Sequence, residues 1–143
     1  MATPVYPIAD MHIFPLALAA GRLTLLRNSD HLLRRFGQLD LLEIAAGQRL
    51  DLPVRGEADC FLFPVSGAVN AALLDLRPSS PSQGAKVAVA LSADEPKGLL
   101  VPFGVACSLQ AESQAVLIQL STHSEAHSAD RAISADERNL IVG

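Results

Sequence analysis

Short apolar runs punctuated by turn residues organise this chain from end to end. Turn signals fall at Gly21, Gly37, Gly47, 53–56, Ser66-Gly67, 78–84, 94–98 and 102–104. Between them lie apolar stretches at 39–44, 61–65, 69–76, 99–101 and 115–120, each of strand length. Val87, Val89 and Leu91 alternate with Ala88 and Ala90, the period of two that puts one face of a strand inward. Residues 13–21 read as a first strand and turn, while 32–36 fit a strand or a helical turn equally. Residues 121–139 are polar and lack alternation. There the pattern predicts either a wrap around the body or a short helix from Ser134, where Glu137 three residues on completes a capping box. Many short strands without repeat or linker predict one all-β domain, a sandwich or barrel.

Composition sharpens this picture in three places. A chain of 143 residues that is 50% hydrophobic but only 4% aromatic, with no Trp, must fill its core with Ala, Leu and Val. A net charge of −4, with Arg34-Arg35 the one basic doublet, argues against a nucleic-acid partner, because a phosphate backbone needs clustered cations. No apolar run approaches the roughly 20 residues that span a bilayer, so no membrane partner is expected. Residues 13–21 have the apolar character of a signal peptide, yet Asp10 and His12 precede them instead of Lys or Arg. Cys60 and Cys107 stand far apart and form no C-x-x-C pair, which predicts a reduced, cytoplasmic protein.

The most specific stretch is 66–84, SGAVNAALLDLRPSSPSQG. A turn, a strand ending in Asp75-Leu76-Arg77 and a Ser80-Pro81-Ser82-Gln83-Gly84 loop closely resemble the dTDP-4-dehydrorhamnose 3,5-epimerase family. Leu91-Ser92-Ala93-Asp94 resembles that family's L-S-x-[DE], and 99–109 (LLVPFGVACSL) resembles its L-x-I-P-x-G-F-A-H-G-F. Asp130-Arg131-Ala132-Ile133-Ser134-Ala135-Asp136 is similar to E-R-G-I-R-W-D, and Gly21-Arg22-Leu23 faintly to R-G-x-F. The resemblance implies an RmlC-like cupin: a jelly roll, or double-stranded β-helix, filling a single domain over 1–143. Residues 1–58 match poorly, 59–120 match best, and 121–143 form the polar tail. It also implies a homodimer and a sugar or nucleotide-sugar ligand.

The same resemblance exposes what is missing. The family's general-base His lies in R-G-L-H-[YF]-Q; aligning Arg49 with its Arg puts Leu52 in the His position. A second His is replaced by Cys107, and the Lys that helps hold the phosphates falls near Cys60. The acid Tyr falls at Ile118, Gln119 or Leu120, and the chain's one tyrosine is Tyr6. No histidine lies between His31 and His123, so no shift of register supplies the base. A leucine cannot abstract a proton, and the expectation is a homologue without 3,5-epimerase activity.

Other chemistry has few candidates. Cys107 is the first, as nucleophile or ligand contact, but no cation in its sequence neighbourhood lowers its pKa, which favours an inert buried thiol. Asp51, Glu57 and Asp59, with Arg49 and Arg55, cluster beside the lost His strand and could supply a relocated base or hold a polar ligand. Such a run is more often a solvated loop. A cupin metal site needs converging His and Glu, and Leu52-Pro53-Val54 occupies the H-x-H region. His123 and His127 are spaced as a zinc-binding pair would be, but lie in a polar tail without a third ligand. We therefore expect no metal and no cofactor. Three readings stay open: a binding protein for a sugar or nucleotide sugar, a structural dimer module, and an isomerase with a relocated base.

Overall fold

The computed structural model of the chain describes residues 6–27, 30–124 and 130–142. Eleven strands and one helix are present: β1 His12–Pro15, β2 Ala17–Ala19, β3 Arg22–Thr24, β4 Gln38–Ile44, β5 Arg49–Leu52, β6 Cys60–Ser66, β7 Ala68–Asp75, β8 Lys86–Ser92, β9 Lys97–Val101, β10 Val105–Ala111, β11 Ala115–Ser121 and α1 Ala135–Val142. One sheet has the order β1-β9-β6-β11-β4, a second β5-β10-β7-β8, and β2 and β3 pair as a small third; every strand pair is antiparallel. The two large sheets close on a shared apolar core, giving the expected all-β jelly roll.

The alternation explains which face each strand buries. Leu52 on β5, Cys60 and Leu62 on β6, Leu73 on β7, Leu91 on β8 and Cys107 and Leu109 on β10 all enter the same core. Burial of each Leu is worth roughly 1.5–3 kcal/mol. Val89 and Leu91 are buried while Ala88 and Ala90 face out, as the spacing predicts. The β6–β7 turn works because Gly67 takes a φ of 75° and a Cβ there would sit 2.1 Å from the Gln114 carbonyl oxygen.

Each sheet also has a partly covered outer face. Phe14 and Leu16 pack on Phe61, Phe63 and Leu120 over the five-stranded sheet, with leucines of the 23–33 region around them. Residues 32–36, open to two readings from sequence, form neither helix nor strand. On the four-stranded sheet, Ile141 of α1 packs on Leu74, Ala106 and Val54. The tail does both things its composition allowed. Arg131 and Val54 exchange backbone hydrogen bonds of 2.7 and 3.0 Å, so the chain wraps the barrel. It then enters α1 through the capping box: Glu137 N donates to Ser134 Oγ (3.1 Å) and Ser134 N to Glu137 Oε1 (3.0 Å).

Candidate functional site

Strand pairing brings Leu52, Cys60 and Cys107 together inside the barrel, with one residue of 118–120 beside them. Leu52 and Cys107 are cross-strand partners on β5 and β10, and Cys60 faces the same core from β6 of the opposite sheet. On β11, Leu117 enters the core while Ile118 and Leu120 point to the outer face, so Gln119 is the inward residue of the three candidates. Its amide Nε2 donates to Cys60 Sγ at 3.5 Å. At these four positions the barrel holds Leu, Cys, Cys and Gln.

Arg55 reaches this interior with its guanidinium. Its Nη1 donates to Cys60 Sγ (3.3 Å) and Ser121 Oγ (2.9 Å), its Nη2 to the His123 carbonyl (3.0 Å), and its Nε lies 2.8 Å from Asp130 Oδ2. Burial works against the guanidinium charge, but Cys60 and Asp130 outweigh it and hold the pKa above its ordinary value. Cys107 has no such help. Burial, with smaller contributions from Cys60 and Asp51, pushes its thiol above the usual range, so it stays protonated at neutral pH.

The remaining acidic candidates point elsewhere. Leu50 and Leu52 face the core, which turns Arg49 and Asp51 to the outer face of β5. There Arg49 Nη1 donates to Ser108 Oγ (2.8 Å), Ser108 donates to Asp51 Oδ1 (2.6 Å), and Arg138 of α1 pairs with Asp51. Glu57 is exposed, and its carbonyl accepts from Arg34 Nη2 at 2.7 Å. Asp59 accepts from Arg34 Nε (3.1 Å) and from the Phe103 amide (3.1 Å), fixing one loop against another. The structure thus joins Arg55, Cys60 and Cys107, and separates Arg49, Asp51, Glu57 and Asp59 from them. His127 lies outside the described residues, and His123 Nδ1 meets Thr122 Oγ1 at 2.9 Å. Among the described residues, no three His, Cys, Asp or Glu gather as a metal site.

Two inward groups escaped the sequence reading. On β4 Leu39, Leu41 and Glu43 are exposed and Ile44 is buried in the core, so Gln38 and Asp40 share the inner face. They stand opposite Ser121 and Gln119, with Gln38 Nε2 donating to Asp40 Oδ2 at 2.9 Å. The alternation Gln38-Asp40-Leu42-Ile44 was the available signal. Gln38, Asp40, Gln119 and Ser121 make a partly open polar margin suited to hydrogen bonding, next to the apolar neighbours of Leu52 and Leu117.

A sequence profile of the dTDP-4-dehydrorhamnose 3,5-epimerase family matches residues 56–142, more than half of the chain. Among solved structures, the dTDP sugar isomerase of Desulfovibrio desulfuricans is similar with a TM-score of 0.85 at 18% identity, over 97% of this chain and 92% of that one. The rmlC epimerase of Mycobacterium tuberculosis is similar with a TM-score of 0.84 at 17% identity, over 100% of this chain and 78% of that one. The 3'-monoepimerase ChmJ of Streptomyces bikiniensis, solved in complex with dTDP-quinovose, gives 0.81 at 14% identity, over 93% of this chain and 74% of that one. At these identities the structural likeness speaks for the fold. No curated protein sequence matches the chain.

Proposed function

Since the chain belongs to the dTDP-4-dehydrorhamnose 3,5-epimerase family, we propose that it is a member that has lost epimerisation and binds a sugar or nucleotide sugar without turning it over. The carrying observation is the set Leu52, Cys60, Cys107 and Gln119 at the four converging positions, with the Cys107 thiol held neutral. Epimerisation beside a ketone needs one group to take a proton and another to return it from the opposite face. Neither Leu52 nor Gln119 can do either. The polar margin of Gln38, Asp40, Gln119 and Ser121 offers donors and acceptors to a hydroxyl-rich ligand, and two free cysteines suit a reduced cytoplasmic setting.

The test is incubation with dTDP-4-keto-6-deoxyglucose in deuterated water, followed by NMR. The expected result is no C3 or C5 exchange above the enzyme-free control, with broadened thymidine signals. Exchange above the control overturns the reading and makes Asp40, the inward carboxylate, the first base to replace. Sharp thymidine signals remove the ligand and leave the second reading, a structural homodimer module. That reading rests on the outer face of β4, where Leu39 and Leu41 are 59% and 61% exposed, with exposed Val65 on β6 and Phe36 just before β4. Light scattering is expected to give a dimer mass for the native chain and a monomer mass for Leu41→Lys; a native monomer sinks it.

A further inference from the structure

Outside the barrel interior, a cleft of about 600 Å³ opens at the end of the sandwich where β5, β7 and β9 stop. That volume lies in the range of small-molecule sites. Its walls are mainly apolar, with Leu76, Pro78, Pro81 and half-exposed Phe103, and Arg55, Arg77 and Arg131 are among its lining residues, Arg55 with its guanidinium turned to the barrel. Asp10 is the one carboxylate among the described lining residues, so the lining carries an excess of two positive charges on a chain whose net charge is −4.

The arginines are held from behind. Asp75 takes Arg77 through Nε (2.9 Å) and Nη2 (3.0 Å), Glu137 takes Arg131 in a fork of 2.7 and 2.7 Å, and Asp130 lies against Arg55 at 2.8 Å. None of these three carboxylates lines the cleft. They fix the guanidinium planes from outside the cleft, which is how a charged site is preorganised; Arg77 also pairs with Asp10 of the lining through Nη1 at 3.1 Å. Their charge also moderates the field, which suits a ligand carrying one anionic group rather than several. Arg131 engages its partners through Nη1 and Nη2, and its Nε has no partner among the described residues.

We propose that this cleft binds a small ligand with a flat apolar ring and a single anionic group, the ring lying against Phe103 and the prolines and the anion meeting Arg131 and Arg77. Carboxylate and phosphate ester share the required chemistry, so both serve as probes. The ¹H–¹⁵N spectrum of the native protein is titrated with 2-naphthoate, 2-naphthyl phosphate and neutral 2-naphthamide. Saturable shifts are expected at Gly56, Phe103, Gly104 and Arg131 for at least one anion, with the amide at least about 10-fold weaker. Arg131→Gln and Phe103→Ala are each expected to weaken binding at least about 5-fold while keeping a native-like spectrum. Should one variant unfold, the other and the native titration still decide. No saturable shift with either anion, equal affinity for the amide, or shifts confined to Leu52, Cys60, Cys107 and Gln119 overturns the proposal, the last placing the ligand in the barrel instead.

Discussion

Replacing Asp75 by Asn tests why this chain runs Asp-Leu-Arg into a Ser-Pro-Ser loop. The carboxylate is 1% exposed and accepts five hydrogen bonds: Ser80 Oγ and Ser82 Oγ at 2.6 Å, Arg77 Nε at 2.9 Å, and Arg77 Nη2 and backbone N at 3.0 Å. Asparagine keeps the shape but removes the charge and turns an NH₂ toward groups that donate. Breaking a buried pair by removing one partner costs about 3–5 kcal/mol. The serine hydroxyls can rotate to accept, and Asp10 still pairs with Arg77 Nη1 at 3.1 Å, so about 2–4 kcal/mol is expected. That is a large share of the 5–15 kcal/mol typical of a domain. The assay is urea unfolding at pH 7, with Arg77→Met and the double variant closing a cycle whose coupling should exceed about 1 kcal/mol. Acid supplies a second reading. Burial raises the Asp75 pKa, but the bonds from Arg77, Ser80 and Ser82 outweigh it and hold the carboxyl well below the usual range. With the folded pKa depressed, the contribution is complete above about pH 4 and drains away as pH falls toward the folded value. By pH 2 the gap between native protein and Asp75→Asn should narrow by about 2–3 kcal/mol. A loss under about 0.5 kcal/mol at pH 7, or a gap that does not narrow in acid, would refute the keystone role.

The other predictions concern the helix, the thiols, the turn and Leu52. Glu137, whose carboxyl is lowered to about 2 chiefly by the Arg131 fork, stabilises α1 above its ordinary pKa of 4.5 and stops doing so as pH falls through about 2. Protection of the Ala135–Val142 amides relative to their intrinsic exchange rates should therefore fall in acid and in Glu137→Gln at neutral pH, and unchanged protection in both would contradict the cap. Cys60 and Cys107, both buried, should resist a disulfide reagent at pH 8 and react only as fast as the protein unfolds; rapid native labelling of Cys107 would disprove its protonated, enclosed state. Gly67→Ala needs a left-handed alanine whose Cβ overlaps the Gln114 carbonyl, and should cost about 2 kcal/mol or more in urea unfolding. Leu52→His separates a repacked core from a vacated site. An imidazole among the apolar neighbours of Leu52 should cost about 2–4 kcal/mol and titrate below 6.5, whereas a fully stable variant with an ordinary histidine pKa would mean the barrel still accommodates its base.

How far the chain could be read without its structure depended on how local each determinant was. Turns and strands are written in short windows: Ser66-Gly67, the Val87-Val89-Leu91 alternation and the Ser134–Glu137 box each appear where expected because neighbouring residues enforce them. Side-chain direction around a site is not local in that sense. Arg49, Asp51, Glu57 and Asp59 lie close to Arg55 in sequence, yet a period of two sends Arg49 and Asp51 to the outer face, and loop contacts through Arg34 tie up Asp59 and Glu57. Arg55 turns inward only because Ser121, the His123 carbonyl and Asp130, all more than sixty residues away, supply its partners. The same rule hid Asp40, whose inward position needs the register of β4 against β11 as well as its own alternation. The Asp75-Leu76-Arg77 stretch shows both effects at once. Its resemblance was legible because Asp75 ties down a contiguous loop, while the exposure of Arg77 to the cleft depends on Phe103 and Arg131 arriving from other strands. A family-like motif therefore located the scaffold here, and the residues available for chemistry had to be found from the direction in which each strand turns its side chains.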